Sequence, residues 1–253
     1  MSATPEPSPD GLLPPHLPLD RYYRGEAGRH TFVVGLFDTT ASDYDYVERM
    51  MALGWGSWYR RRALLRVGLV SGMKVLDVAC GTGLVTRGAM GIVGPTGRVF
   101  GLDPSFGMLR RAVRSLRVAA VRGVGEALPV RSDSVDVLSL GYALRHLSDL
   151  VVTFREFRRV LRPGGTVCIL EITPPRNRPA RALLRLYVRG VIPALARLTR
   201  RRRETAFLWE YFWDTMDACV PPATVLEALG KAGFSGVGRY TELGIFSEYT
   251  GTK

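Results

Sequence analysis

The sequence is poor in cysteine, histidine and lysine, and these shortages exclude several kinds of site. Its three cysteines, Cys80, Cys168 and Cys219, lie far apart, so neither a disulfide framework nor a zinc site is indicated, as is typical of a reducing cytosol. The three histidines form no metal-ligand pattern either, and we expect no metal. No apolar run approaches the roughly 18 residues that a membrane-spanning helix needs. These shortages predict a cytoplasmic protein.

Arginine, by contrast, is abundant and unevenly placed. Only three of the 35 basic residues are lysine, the formal net charge is +12, and ten arginines fall within 176–203. Such a charge suggests an anionic partner: nucleic acid, phospholipid head groups or a pyrophosphate. Arg181, Arg185 and Arg189 repeat at helical spacing, a pattern typical of an interfacial helix at the inner face of a membrane. A solvated arginine-rich face stays open as the alternative.

Periodicity predicts one folded domain. We expect residues 1–30 to be a disordered, Pro-rich leader and residues 31–253 to be the domain. Residues 31–70 predict a cap of two helices, "TASDYDYVERMMALG" and "SWYRRRALLRVG". Residues 176–220 predict a helical insertion, first basic and then aromatic, that covers the substrate. From Lys74 onward, short apolar runs alternate with helical patterns, which predicts a parallel sheet with helices on both faces. "GRYTEL" and "GIFSEYTG" predict a closing antiparallel hairpin.

The strongest local signal is a glycine-rich turn that lies between two acids. Gly81 and Gly83 follow the strand "KVLDV" and lack a Cβ, so a ligand can approach their backbone. The third glycine of a dinucleotide motif is missing, and Asp77 would repel a pyrophosphate but accept a hydrogen bond from an ammonium group. Asp103 ends the next strand, where an acid suits both ribose hydroxyls. This pairing favours S-adenosylmethionine over NAD.

The chain resembles the ubiquinone/menaquinone C-methyltransferase family over nearly all of 32–253. The resemblance is carried by "LFDTTASDYD", "MMALGWGSWYRR", "VLDVACGTG", "GLDPSFGML", "GEALPV", "DSVDVLSLGYALRHLSD" and "VLRPGGTVCILEI". It implies a Rossmann-like class I methyltransferase fold, with a mostly parallel seven-stranded sheet, helices on both faces and a C-terminal antiparallel hairpin. It also implies S-adenosylmethionine as cofactor, a small aromatic or prenylated acceptor, and a homodimer.

The same resemblance assigns binding residues. Asp77, Gly81 and Gly83 would hold the methionine part, Asp103 the ribose, and Tyr44 would close over the cofactor, although a tyrosine on a helical cap is more often a core residue. The remaining cofactor residues are predicted to be Ala79, Pro104, Met108, Gly125, Glu126 and Gly141, and the acceptor residues Tyr142, Trp209, Trp213 and Asp214.

Arg145 and His146 are the predicted catalytic pair. They follow the fourth predicted strand, where the transferred methyl group should project, and the family has Arg-Asn there. A histidine with a pKa near ~6.5 is a competent general base at neutral pH, and Arg145 could stabilise a phenolate by a charge-assisted hydrogen bond. In the alternative, His146 only contacts the cofactor or caps a turn.

Departures from the family pattern keep other functions open. Val124 stands where the family has an acid or amide that accepts from adenine, so either the backbone or Glu126 does so or the selectivity for adenine is looser. Residues 211–216 and Glu248 also differ, and by analogy they approach the acceptor. We expect C-methylation of a quinol or prenylated phenol, and the alternatives are a natural-product O-, N- or C-methyltransferase, an RNA methyltransferase and a non-catalytic cofactor-binding protein. "LGYALRH" replaces the catalytic motif that RNA enzymes carry after this strand, so no nucleic-acid partner is expected.

Overall fold

A computed structural model describes residues 13–42, 44–51, 54–194 and 203–253 of the chain. One sheet of seven strands has the order β3-β2-β1-β4-β5-β7-β6. The strands are β1 (Lys74–Val78), β2 (Arg98–Asp103), β3 (Ala119–Arg122), β4 (Val135–Gly141), β5 (Leu161–Ile172), β6 (Ser235–Glu242) and β7 (Phe246–Thr252). Strands β1 to β5 pair in parallel, whereas β7 runs antiparallel to β5 and β6. The predicted fold class is therefore confirmed, including the C-terminal hairpin.

Helices cover both faces of the sheet. They are α1 (Gly25–Thr40), α2 (Tyr44–Met51), α3 (Gly56–Arg66), α4 (Leu84–Val93), α5 (Phe106–Leu116), α6 (Leu150–Val160), α7 (Arg178–Leu186), α8 (Arg203–Ala218) and α9 (Pro222–Lys231), with a 3-10 turn over Leu144–His146 and a π-helical segment over Tyr187–Val191. Successive strand residues point to opposite faces, so Val75 packs with α3 and α4, and Leu76 belongs to the core that includes α6 and α9. Burial on both sides explains the continuous apolar runs in the sequence.

The N-terminal region differs from its prediction. Helix α1 begins at Gly25 and precedes the two predicted cap helices, so the cap contains three. Residues 13–24 were expected to belong to a disordered leader, yet they pack against the domain: the N–H of Leu13 donates to Asp149, and the N–H of Val220 donates to the carbonyl of Pro15. His16 is completely buried. Proline-rich composition therefore misled the prediction from residue 13 onward, and residues 1–12 lie outside the described part.

Most described residues of the predicted insertion are helical, and only those at its two ends are not. Helix α8 packs against α1 through an aromatic cluster that includes Phe32, Tyr211 and Phe212. Residues 195–202, including most of the predicted "RRRR" loop, lie outside the described residues. Within the part of the chain that the structure describes, no helix combines the length and apolar character needed to cross a bilayer.

Candidate active site

The turn between β1 and α4 is built from left-handed backbone conformations. Ala79, Gly81 and Gly83 have φ values of 51°, 56° and 90°. A Cβ on Gly81 would meet no atom within 4 Å, so the space beside this residue is open. A Cβ on Gly83 would lie 2.5 Å from the Leu116 side chain, and the φ of 90° also favours glycine here. The two glycines thus serve different purposes: Gly81 faces open space, whereas Gly83 lets α5 approach.

Asp77 lies beneath this turn with no exposed surface. Its two carboxylate oxygens accept hydrogen bonds from the hydroxyls of Thr86 and Ser139, at 2.6 and 2.7 Å. Burial raises the pKa of Asp77 to about 6, and the two hydroxyls oppose that rise. In this conformation the Asp77 carboxylate links the end of β1 to Thr86 and Ser139.

Asp103 ends β2 and is hydrogen-bonded to the same turn. One carboxylate oxygen accepts the N–H of Gly81 and the other the N–H of Ser105, each at 2.8 Å. Burial raises the pKa of this group to about 6 as well, against the effect of both N–H donors. The two acids therefore lie at successive strand ends on either side of one glycine turn, as the sequence predicts.

A first cavity of about 70 Å³ opens beyond the carboxyl ends of β1, β2 and β4. Four of the predicted cofactor residues line it, Ala79, Pro104, Gly125 and Glu126, together with His146. Glu126 accepts the N–H of Ser148 at 2.7 Å, which fixes its carboxylate at the rim. Such a position at the ends of parallel strands is where this kind of sheet binds ligands.

A second cavity of about 40 Å³ lies where α2 meets the end of β4. Its polar lining consists of Tyr44, Glu48, Tyr142 and Arg145, and Phe212 supplies part of its apolar lining. Tyr142 has φ of 60°, an unusual backbone conformation for a bulky residue that typically costs about 1–3 kcal/mol. The fold therefore keeps the Tyr142 ring in this cavity even though its backbone conformation is unfavourable.

Arg145 is buried, and two other side chains fix its guanidinium group. One guanidinium nitrogen donates to Glu171, and Nε donates to the hydroxyl of Thr215 at 3.1 Å. Burial raises the pKa of Glu171 and the Arg145 charge lowers it, with burial the larger effect. These contacts orient a cation toward the second cavity.

His146 lies beside Arg145 on the 3-10 turn but lines the first cavity. Its Nδ1 is 3.1 Å from the hydroxyl of Tyr211, and the two rings stack at 14°. Burial, reinforced by Arg145 and Arg29, lowers the pKa of His146 well below its ordinary value. The imidazole is therefore neutral. Arg145 and His146, although adjacent on one turn, face different cavities.

Comparisons with known sequences identify the family of this chain. A sequence model described as the ubiE/COQ5 methyltransferase family covers residues 26–253. The chain belongs to this family. It is 34% identical over 210 residues to the demethylmenaquinone methyltransferase of Lactococcus lactis, covering 80% of this chain and 81% of that one. A Staphylococcus aureus protein of the same name is 32% identical over 182 residues, covering 70% and 73%.

Solved structures resemble the fold of this ubiE/COQ5-family chain. A SAM-dependent methyltransferase from Aquifex aeolicus superposes with a TM-score of 0.56 at 20% identity, covering 76% of this chain and 88% of that one. Phosphoethanolamine N-methyltransferase 2 of Haemonchus contortus, in complex with S-adenosyl-L-methionine, gives 0.55 at 15% identity, covering 78% and 52%. At this identity the likeness shows the fold alone. Family membership makes the chain a methyltransferase that uses S-adenosylmethionine.

The site of this family member fits that cofactor. Open space beside Gly81 is a cradle that a side chain would fill, and Asp103 lies within hydrogen-bond distance of the Gly81 backbone. Val124 lines the first cavity together with Gly125 and Glu126, so backbone groups and the Glu126 carboxylate are available there as acceptors. An acid between a glycine turn and the next strand end is the donor set expected for a nucleoside joined to an amino acid.

Several predicted residues lie away from both cavities. Trp209 and Trp213 are buried in the aromatic cluster, and Asp214 accepts from the hydroxyl of Tyr22 at 2.7 Å. Successive residues of a helix point about 100° apart, so α8 turns Phe212, and not Trp213, into the second cavity. Two predicted cofactor residues are also packed into the core. Met108 is buried in α5, and a Cβ on Gly141 would lie 2.7 Å from Val85.

Two acids of the cap escaped the sequence prediction. Asp38 accepts from the hydroxyl of Ser105 at 2.6 Å and from the N–H of Gly107 at 2.8 Å. Asp45 accepts from the hydroxyl of Thr82 in the glycine turn. The cap is thus bonded to two of the loops that carry predicted cofactor residues, those after β1 and β2. Both acids stand in "LFDTTASDYD", but no periodicity tells which loop each one meets.

Proposed function

We propose that the enzyme methylates a ring carbon of a prenylated hydroquinone. The observation that carries this proposal is the second cavity, where aromatic walls surround Arg145, Glu48 and two tyrosines. A flat ring with hydroxyl groups matches such a lining, because aromatic side chains stack on it while the polar groups meet its oxygens. Support also comes from the L. lactis and S. aureus relatives, which are named for demethylmenaquinone.

The buried arginine suits carbon methylation in particular. S-adenosylmethionine supplies an electrophilic methyl group when bound, and a ring carbon becomes nucleophilic once a ring hydroxyl loses its proton. Arg145 would hold the resulting phenolate by a charge-assisted hydrogen bond, which is roughly twice as strong as a neutral one. The aromatic side chains that line the cavity would limit the water that competes for that phenolate.

We assign the remaining residues by the cavity that they line. Ala79, Gly125 and Glu126 line the first cavity and would hold the cofactor. Gly81 and Asp103, which are hydrogen-bonded to each other at the glycine turn, would hold it too, with Asp103 accepting from the ribose hydroxyls. Tyr44 and Tyr142 would border the acceptor. His146 goes to the cofactor side, because it lines the first cavity and its Nδ1 is already engaged by Tyr211.

The proposal is tested with methyl-labelled S-adenosylmethionine and a reduced demethylmenaquinone carrying a short prenyl chain. Mass spectrometry and NMR should find the labelled methyl on a ring carbon. Arg145→Ala should reduce turnover by about 100-fold or more while cofactor affinity by calorimetry stays near wild type. A methyl group on oxygen would favour the natural-product alternative, and no product with any prenylated quinol would refute the proposal.

We propose further that α7 rests on an anionic membrane surface. Leu183 and Leu186 are 68% and 62% exposed and lie on one side of this helix, whereas Arg178 and Arg185 lie together on a different side, as in an amphipathic interfacial helix. No residue of α7 is buried. Helix α7 closely follows Ile172, which lines the second cavity, so a lipid-borne acceptor would enter near the surface that meets the membrane.

The homodimer that the family resemblance implies is also proposed. Light scattering at micromolar concentration should give twice the mass of one chain. A single-chain mass under those conditions would contradict it.

A further inference from the structure

We propose that Glu48 takes the proton from the ring hydroxyl of the acceptor. The inference rests on the proposed function, since it names the base for carbon methylation in the second cavity. It assigns a catalytic role to a residue of the cap, outside the loops that follow the strands.

Glu48 is placed for contact with a bound ring. It follows Tyr44 by about one turn of α2, so the two side chains share a face of the helix. Both line the second cavity opposite Tyr142 and Arg145, which come from the end of β4. Among the described residues that line this cavity, Glu48 is the only carboxylate. A ring hydroxyl between Glu48 and Arg145 would meet a proton acceptor on one side and a cation on the other.

A buried arginine fixes the Glu48 side chain. Nη1 of Arg60, on α3, lies 2.5 Å from Oε1 of Glu48, and the arginine is almost completely buried. The glutamate side chain keeps 18% of its surface exposed. Its second oxygen, Oε2, makes no hydrogen bond with another described residue. The ion pair therefore orients the carboxylate and leaves one oxygen for an acceptor proton.

The other groups near the cavity are poorer bases. Burial raises the pKa of Tyr44 to about 12 and raises that of Tyr142 further, so both phenols keep their protons at neutral pH. Glu171 is ion-paired with Arg145 and does not line the cavity. His146 faces the first cavity. Both the position of Glu48 and the exclusion of these other groups therefore indicate Glu48 as the base.

The proposed step balances in protons and electrons. The hydroxyl proton of the acceptor passes to Glu48, and the oxygen electron pair moves into the ring. The ring carbon forms a bond to the methyl group as the methyl–sulfur bond breaks, its electron pair going to sulfur. The ring C–H proton is then lost to water while the keto oxygen takes its proton back from Glu48. One proton is released overall, and Glu48 ends as it began.

The test compares Glu48→Gln and Glu48→Asp with Glu227→Gln, a surface control on α9. Single-turnover rates are measured with saturating cofactor and quinol across the pH range. At about pH 7 the glutamine variant should lose about 100- to 10,000-fold in rate, and the deficit should shrink about tenfold per pH unit as the quinol ionises by itself. The aspartate variant should recover part of the rate. Cofactor affinity should be unchanged in all three variants.

An acceptor with an acidic hydroxyl gives a second, independent measurement. A fluorinated quinol that is already ionised at neutral pH should react at nearly equal rates in wild type and Glu48→Gln. If the glutamine variant fails to fold, Glu48→Asp still decides, because its loss of rate with the ordinary quinol should disappear with the acidic quinol.

Two results would overturn the assignment of Glu48. One is a wild-type rate in Glu48→Gln with the ordinary quinol, and the other is a loss that is equal at every pH and is not rescued by the acidic quinol. Failure of the proposed function looks different, because wild type itself would then make no C-methylated product.

Discussion

The carboxyl group of Asp103 accepts two backbone N–H groups while it is almost fully removed from water. Burial favours its neutral form, and hydrogen bonds favour its charged form. In the free protein the effect of burial is larger than that of the hydrogen bonds, and the pKa of Asp103 rises to about 6. Ribose hydroxyls would add donors to the carboxylate, so cofactor binding and ionisation of this group should favour each other.

Cofactor affinity should therefore fall as the pH drops through about 6. Below that pH the free protein holds Asp103 protonated, and binding must release the proton. Above it the affinity should be constant, and below it should decline about tenfold per pH unit for each acid that ionises on binding. Calorimetry with S-adenosylmethionine between about pH 5 and pH 8 measures the slope.

Asp103→Asn separates this acid from Asp77, whose pKa is also raised to about 6. The variant should lose about 1–3 kcal/mol of binding free energy near pH 8 and show a shallower decline in acid. Asp20→Asn, at an exposed position, should behave as wild type. An affinity that does not vary with pH in the wild-type protein would contradict the role of Asp103.

For single residues, the sequence identifies members of the candidate site more reliably than it predicts which cavity each side chain faces. Asp103 and Gly81 are found because their positions at strand ends follow from the apolar pattern. Arg145 and His146 are found as a pair, but only the 3-10 turn shows that they face different cavities. Glu48 carries no local signal, since its importance depends on which helix meets the end of β4.

Among the elements, α6 depends on contacts from outside its own sequence. Its N-cap residue, Asp149, accepts the N–H of Val152 at 2.6 Å and also the N–H of Leu13. In return, the N–H of Leu150 donates to the carbonyl of Leu13. The N-terminal segment 13–24 is thus fastened to the start of a helix that covers the sheet.

Asp149→Ala should lower the free energy of unfolding by about 2–4 kcal/mol. The loss combines a missing cap, about 0.5–2 kcal/mol, with a buried N–H of Leu13 left without an acceptor, about 1–3 kcal/mol. Asn177→Ala removes the exposed cap of α7 and serves as the matched control, with an expected cost of about 1 kcal/mol or less. Urea unfolding measures both, and equal losses would show that the contact with Leu13 contributes nothing.

The elements differ in how well the sequence predicts them. Strands β1, β2, β4 and β5 are predictable because strands buried on both faces need uninterrupted apolar residues. Helix α1 was missed because it contacts both α5 and α8, so its apolar residues do not follow one stripe. Segment 13–24 has no regular structure to detect, and its buried residues are held by distant partners.

For the whole molecule, the net charge of +12 matters through its position on the surface. Several arginines are neutralised locally: Arg181 pairs with Asp217, and Arg66 with Glu248. Arg178 and Arg185 of α7 have no ion pair with another described residue and flank exposed leucines. This combination of apolar surface and unpaired positive charge is what the head-group region of an anionic bilayer binds.

Leu183→Asp combined with Leu186→Asp should weaken binding to phosphatidylglycerol vesicles by about 10- to 100-fold. The loss reflects apolar surface withdrawn from the bilayer at about 25 cal/mol per Å², together with added negative charge. Vesicle co-sedimentation measures it. Leu243→Asp, at a position that is 81% exposed in the β6–β7 turn, is the matched control and should bind as wild type. Equal binding by all three proteins would remove α7 from the proposed contact.

The short turn that carries Arg145 and His146 has a consequence for how such an enzyme diversifies. Neighbouring codons specify side chains that enter separate chambers. Under the assignment proposed above, a point mutation should therefore alter the choice of methyl recipient without weakening the binding of the methyl donor, and the reverse. Lineages that exchange one recipient for another should therefore accumulate changes around the Arg145 chamber while the opposite chamber drifts little.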